Sequence, residues 1–468
     1  MDELSVPPQT SLLPGASIKL GAPWCATKRI TQSLVPTPIG VVTHADCVCN
    51  ERRALTLRHL VDTGARFTAP ISELEAALGP VELHGLVPWS TLQVVDHYTG
   101  GKRRALQEAA STLVELPVQS KDGQVRMFLK DDKYTLDDIK EPRCIQYRNY
   151  RYGLRLGRYL KPFEREFYSI EVDGHRFSAK GMNSYGRASA LREMWDDFQN
   201  PVACLFDHSK FDAHVSTELL SLEHAHYCKA FSGDELRWLL SMQLVNRGRT
   251  KNGTTYTVRG TRMSGDQNTG LGNTLLNYAI LRAYLSRAQV RGHILVDGDD
   301  SVIVFERAGF AALEAAYPWF GLCGMETNRP VLVDEFQLLE FCQCRPVLVA
   351  GTWRMVRNPA RVITRMPWTT RNYNAKALAR LTRTIGWCEL VCNTGVPVLQ
   401  AYSTWFMQQG RGRMMRAHME ARALLEDTQC LHMPVLMSTR LSFEEAWGIP
   451  VQRQFTMEDK ARWRLDWE

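Results

Sequence analysis

Leu295-Val296-Asp297-Gly298-Asp299-Asp300-Ser301-Val302-Ile303-Val304-Phe305 decides how the chain folds. Two apolar runs flank a short acidic stretch, so the segment predicts a β-hairpin with its acids at the tip. Gly298 supplies the backbone freedom of a tight turn. Adjacent like charges in a turn repel each other, and a divalent cation relieves that repulsion. Alone, Gly-Asp-Asp reads as an ordinary exposed turn. Its meaning comes from two other stretches.

Val202-Ala203-Cys204-Leu205-Phe206 predicts a buried strand that delivers Asp207 at its C-terminal end. Asp212 falls on the connection to a helix predicted over 216–230. Ser264-Gly265-Asp266-Gln267-Asn268-Thr269-Gly270-Leu271-Gly272-Asn273 is a glycine-rich polar loop entering a helix predicted over 271–285. Backbone N–H groups at a helix start suit phosphate. Thr269 and Asn273, four apart, share a helical face. The three stretches together point to two-metal nucleotidyl transfer. Asp207 and Asp299 are the expected bridging ligands, with Asp300 close by. Hard oxygen ligands suit Mg2+, with Mn2+ as substitute. Asp212, Ser264, Thr269 and Asn273 are expected to cluster around a ribose, whose 2′-hydroxyl distinguishes RNA from DNA.

The 468 residues suffice for a large core in two or three lobes. Apolar content of 44% and charged content of 23% match an ordinary globular protein. A net charge of +7 suits a polyanionic partner without proving one. Twelve cysteines in a chain this long do not form a disulfide scaffold, and reduced thiols are expected. Cys47, Cys49 and His44 lack the further ligand a tetrahedral zinc set needs. No apolar stretch is long enough to span a membrane, so if the chain works at a membrane another protein or segment must tether it.

Residues 1–40, with Pro7, Pro8, Pro14, Pro23, Pro36 and Pro38, predict an extended arm. Helical patterns follow, as at 51–60 and 71–78. Between Arg143 and Arg165 seven basic residues interleave with tyrosines against the single acid Glu164. Such a zone can hold phosphates and stack on bases, but alone it reads better as a basic face over core tyrosines. A second basic zone runs from Arg345 to Arg383, with no acid between Glu340 and Glu389. It repels itself unless counter-charge arrives, and a nucleic-acid backbone is the obvious source.

These motifs resemble those of RNA-dependent RNA polymerases of positive-strand RNA viruses, the tombusvirus-like group above all. Asp207 to Val215 is similar to motif A, Arg262 to Asn273 to motif B, and Gly298-Asp299-Asp300 to motif C. Glu340-Phe341-Cys342-Gln343-Cys344-Arg345-Pro346 is similar to motif E. Phe128 to Lys133 and Pro142 to Gln146 resemble motif F, which implies Lys130, Lys133, Arg143 and Arg148 as contacts of a nucleoside triphosphate. Gly265, Arg158, Cys342 and Arg345 are the implied RNA contacts. The resemblance covers roughly residues 125–410.

It implies an α+β right hand of fingers, palm and thumb, the palm an antiparallel sheet backed by helices. Residues 1–120 are then an arm and extension bridging fingers to thumb, 121–345 fingers and palm, and 346–468 the thumb. It further implies genome replication from NTPs on a single-stranded RNA template, with nascent RNA as product, no DNA, and initiation without a protein primer. The implied place is the host cytoplasm at a membrane-associated replication complex, with another viral replication protein as tether. One departure stands out. The motif D segment Cys323 to Arg329 has no lysine to protonate pyrophosphate, and arginine is a poor proton donor.

Two alternatives compete. A reverse transcriptase shares the carboxylates but usually places an aromatic where Asp212 stands. A non-catalytic RNA-binding or capsid-like protein explains the basic zones and leaves the acids without purpose.

Overall fold

The computed structural model describes residues 11–22, 24–26, 28–426 and 431–459. Pro7, Pro8 and Pro23 of the predicted arm lie outside them. Helices and mainly antiparallel sheets alternate along the chain, giving an α+β fold.

The predicted hairpin is the heart of a four-stranded antiparallel sheet. Gly292–Asp297 pairs with Asp300–Glu306, which pairs with Pro201–Phe206, which pairs with Val331–Val333. Gly298 turns the hairpin with φ +74°. The strands are apolar throughout because both faces of the sheet are covered. Val202, Cys204, Ile303 and Phe305 face a core containing Leu271, Leu275 and Leu220. Ala203, Val302 and Val304 face a second core with Ala188 and Leu191 of the helix Ser184–Asp196. Each buried leucine here contributes about 1.5–3 kcal/mol.

The helix behind Asp207 runs Thr217–Ala230, with Ser216 capping its first turn through Leu219 N–H. The helix after the glycine-rich loop runs Thr269–Ala288, two residues earlier than the apolar pattern suggests. The helix at Ile71–Leu78 forms as predicted. The expected 51–60 helix is an α-helix Val48–Ala54 that loosens into a π-turn Leu55–His59.

A five-stranded sheet lies apart from the first, in the order Ser17–Lys19, Thr255–Arg259, Val245–Thr250, Val125–Leu129, Cys144–Tyr147. The arm is therefore extended but anchored. Ser17–Lys19 pairs with 255–257, and Gln32–Ser33 pairs with Trp368–Thr369. The hairpin Cys344–Val349/Thr352–Arg357 leads into the helices Ala375–Asn393 and Leu399–Gln409, which share an apolar core. Among the described residues no helix is long and apolar enough to cross a membrane.

Candidate active site

Register places the acids together. Phe206 pairs with Ser301, so Asp207 and Asp300 leave the same end of neighbouring strands. Asp207, Asp299 and Asp300 are exposed there, and among the described residues none of them forms an ion pair. The Asp300 carboxyl is pushed up to about 6, first by partial burial and then by Asp299, Asp297 and Asp207. Hard carboxylate oxygens that repel one another and lack a protein cation fit a divalent metal such as magnesium.

Asp297 is different. Lys180 and Arg187 both pair with it and hold its carboxyl below the usual range despite burial. Arg187 also donates to the Cys342 sulfur at 3.2 Å. Cys342 itself sits in a left-handed turn, φ 51°, beside the acids' strand. The sequence reading assigned neither Lys180 nor Arg187 a role.

The hairpin tip is clamped from the long helix. Asn277 Nδ2 donates to the carbonyls of Gly298 and Asp299, at 3.1 and 3.0 Å. Thr274 Oγ1 accepts from Gly298 N–H at 3.0 Å. His208, next to Asp207, reaches Asn277 Oδ1 with Nε2 at 3.2 Å and Thr327 Oγ1 with Nδ1 at 2.8 Å.

Of the four residues expected around a ribose, two meet. Asn273 Nδ2 donates to Asp212 Oδ1 at 2.8 Å. Burial raises the Asp212 carboxyl to about 6, against the opposing help of Asn273. Ser264 Oγ instead donates to the Cys144 carbonyl at 2.8 Å. Thr269 Oγ1 turns back on its own loop, donating to Met263 and Asp266 carbonyls. Its hydroxyl closes the loop as the helix begins.

Beneath this pair lies a buried network that the motif reading did not predict. Arg262 and Glu223 are 1% and 0% exposed and form an ion pair. Arg262 Nε donates to Asn273 Oδ1 at 3.0 Å, fixing the orientation in which Asn273 faces Asp212. Asn268 donates to Glu223 at 2.6 Å. Gly272 makes room for the pair, since a Cβ there would lie 2.3 Å from Glu223 Oε1. The sequence signal was an acid inside an apolar helical stripe, with Leu219, Leu220 and Tyr227 around Glu223.

The expected triphosphate contacts divide. Lys130 and Arg143 remain half-exposed around Asp132, at 3.7 and 2.6 Å. Arg148 is a correction. It is buried, pairs with Asp266 at 2.7 Å and also donates to Asn246 and two backbone carbonyls, so no donor is left for a phosphate. Lys133 is a second correction. Its Nζ donates to the carbonyls of Arg365 and Trp368, both at 2.8 Å, and burial lowers it to about 8.

Among the expected RNA contacts, Gly265 lies against the Cys144–Tyr147 strand, its N–H on the Gln146 carbonyl at 2.8 Å. Arg158 turns to the Trp89 carbonyl at 2.9 Å and to Glu235. Arg345 pairs with Glu340 and the Ala446 carbonyl, over the Trp447 ring. All seven basic residues from Arg143 to Arg165 are in ion pairs, with Arg143 and Arg165 at exposed positions and Tyr152 and Tyr159 in the core. The second zone keeps more charge available. Arg361, Arg365, Arg371 and Lys376 form no ion pair among the described residues, and Arg361 feels Arg365, Arg357 and Arg143. Arg329 of the motif D segment lies over the Tyr317 ring.

A family profile described as viral RNA dependent RNA polymerase matches residues 23–468. The chain is 34% identical over 392 residues to the RNA-directed RNA polymerase of Carnation mottle virus, covering 80% of this chain and 51% of that protein. It is 33% identical over 389 residues to that of Tobacco necrosis virus (strain A), covering 79% and 53%. It is 36% identical over 315 residues to that of Turnip crinkle virus, covering 65% and 40%. The chain thus spans about half the length of the curated relatives it matches. With its paired carboxylates at one end of an antiparallel sheet, the chain belongs to the viral RNA-dependent RNA polymerase family.

Proposed function

We propose that this chain copies a viral positive-strand RNA genome by template-directed nucleotidyl transfer from NTPs. The observation that carries the reading is the placement of Asp207 beside Asp299 and Asp300, with the Asp212–Asn273 pair next to them. The 3′-oxygen of the growing strand attacks the α-phosphorus, the bond to the bridging oxygen breaks, and pyrophosphate leaves. Asp207, Asp299 and Asp300 would hold two magnesium ions, with manganese as substitute. Bound metal supplies the Lewis acidity that activates the hydroxyl and neutralises the leaving group.

The chain's own residues do the rest. Asn273 and Asp212 select the ribose, Asp212 keeping Oδ2 for a sugar hydroxyl while Oδ1 takes the amide. Lys130 and Arg143 neutralise the triphosphate, and Arg361 and Arg365 extend that positive wall. The hydroxyl of Ser264 and the backbone of Gly265 line the template side, and Cys342 and Arg345 the primer side. An acid at Asp212, rather than an aromatic, favours RNA over DNA product.

The reading includes a right hand. The 201–206/292–306 sheet is the palm, the five-stranded sheet belongs to the fingers, and 346–468 is the thumb, with 1–120 bridging the last two. De novo initiation, a membrane-tethering replication protein and a cytoplasmic replication complex belong to the same proposal. The test is incorporation of labelled ribonucleotide on a short single-stranded RNA with magnesium or manganese. Synthesis by wild type and not by Asp299→Ala supports it. Equal synthesis by both, or RNA binding with no synthesis by wild type under any metal, sinks it.

A further inference from the structure

At the other end of the 292–297 strand from the catalytic acids, three ligand atoms converge. His293 is the second residue of that strand, His175 lies in the short hairpin strand His175–Arg176, and Asp197 caps the helix Ser184–Asp196. His175 Nε2 and His293 Nε2 both approach Asp197 Oδ2, at 2.9 and 3.0 Å. The ligand atoms of all three residues lie within 4.8 Å of one another.

We propose that His175, Asp197 and His293 form a zinc-class metal site, separate from the catalytic carboxylates, that staples three segments of the chain together. Tetrahedral zinc with bonds of about 2.0–2.1 Å to nitrogen and oxygen sets its ligand atoms about 3.3 Å apart. The two nitrogen–oxygen separations fall a few tenths of an ångström short of that, and the ligand atoms of the two rings lie within 4.8 Å of each other. The two rings lie 4.2 Å apart, close enough that two imidazolium charges would repel.

Burial is graded as a site needs. The side chains of His293 and His175 are 2% and 12% exposed, while Asp197 is 39% exposed and leaves an open side for water. One group opposes a cation. Arg291 Nη2 stands 3.7 Å from Asp197 Oδ2, but its side chain is 70% exposed and can turn into solvent. Two nitrogens and one oxygen favour zinc over magnesium, which prefers oxygen alone. An ion here would fix the root of the strand whose far end carries Asp297 and the catalytic turn.

The test uses the whole chain without a histidine tag, stripped with chelator and titrated with Zn2+ alone, then with Co2+ as a spectroscopic probe. Wild type and Asp299→Ala are expected to retain one zinc equivalent and to give the intense visible bands of a four-coordinate, nitrogen-ligated cobalt centre. His175→Gln and His293→Gln are expected to lose more than about 100-fold in zinc affinity and to lose those bands. Excess magnesium should not displace the ion. His175→Gln, on the hairpin, carries the test if His293→Gln fails to fold. No zinc on wild type overturns the proposal. So does zinc that survives in His175→Gln, which would place it on thiols, or zinc lost in Asp299→Ala, which would place it at the catalytic acids.

Discussion

His208 Nε2 stands 3.2 Å from Asn277 Oδ1, and the Asn277 amide in turn holds two successive carbonyls of the hairpin turn, Gly298 and Asp299. The residue beside Asp207 thereby supports the backbone of Asp299. Asn277→Leu leaves those carbonyls without their donor, at about 1–3 kcal/mol for a buried group. RNA synthesis should fall by more than about tenfold while RNA affinity, read by gel shift, stays near wild type. His208→Gln, which still offers an amide, should fall between. Wild-type turnover in Asn277→Leu would remove this clamp from the catalytic account.

Asp212→Asn separates stability from selectivity. The folded-state pKa of Asp212 is raised from 3.8 to about 6, so the folded chain holds this proton more tightly than the unfolded chain. The associated stability is complete below 3.8 and is lost as pH rises through about 6. A neutral amide escapes that loss. Asp212→Asn should therefore be more stable than wild type at neutral pH, by about 1–3 kcal/mol, and the two should converge in acid. Preference for ribonucleotide over deoxyribonucleotide should drop in the same variant. Denaturant midpoints across pH and paired incorporation assays read the two effects.

Arg262→Met strands Glu223 as an unpaired buried charge. Breaking a buried pair from one side costs about 3–5 kcal/mol, which predicts an insoluble or strongly destabilised chain. Replacing both, in Arg262→Met with Glu223→Met, should recover much of the stability. It should not recover ribose selection, because Asn273 loses the donor that orients it. A double variant as unstable as the single one would contradict this account.

Lys130 and Lys133 are three residues apart and should behave oppositely. Lys133→Met removes two hydrogen bonds to the carbonyls of Arg365 and Trp368. It should lower the melting temperature and leave KM for NTP within about twofold of wild type. Lys130→Ala should raise KM for NTP with little change in melting temperature. Both follow from steady-state kinetics beside a thermal scan.

Local chemistry made much of this legible. The palm-like strands were readable because both faces are buried and the residues are apolar without interruption. The acids at their ends followed from the same pattern. The Arg148–Asp266 and Arg262–Glu223 pairs join residues 118 and 39 positions apart and leave no local signature. Lys133 looked like a phosphate ligand because its acceptors are backbone carbonyls 232 and 235 residues away. The first basic zone reads as a face over core tyrosines, but its partners Asp122, Asp132, Glu235 and Asp266 come from elsewhere in the chain and could not be named. The pairing of Asp212 with Asn273 was foreseen, whereas Ser264 and Thr269 spend their hydroxyls on backbone.

The arm at 17–33 has unequal fastenings, three paired residues at 255–257, three at 42–44 and two at 368–369. Lys19 ends the first grip and Lys28 begins the second, and the nine steps between them span at most about 32 Å when straight. The arm is thus a tether of fixed reach. Any parting of the sheet at 245–259 from the strand at 41–44 beyond that reach must peel a grip.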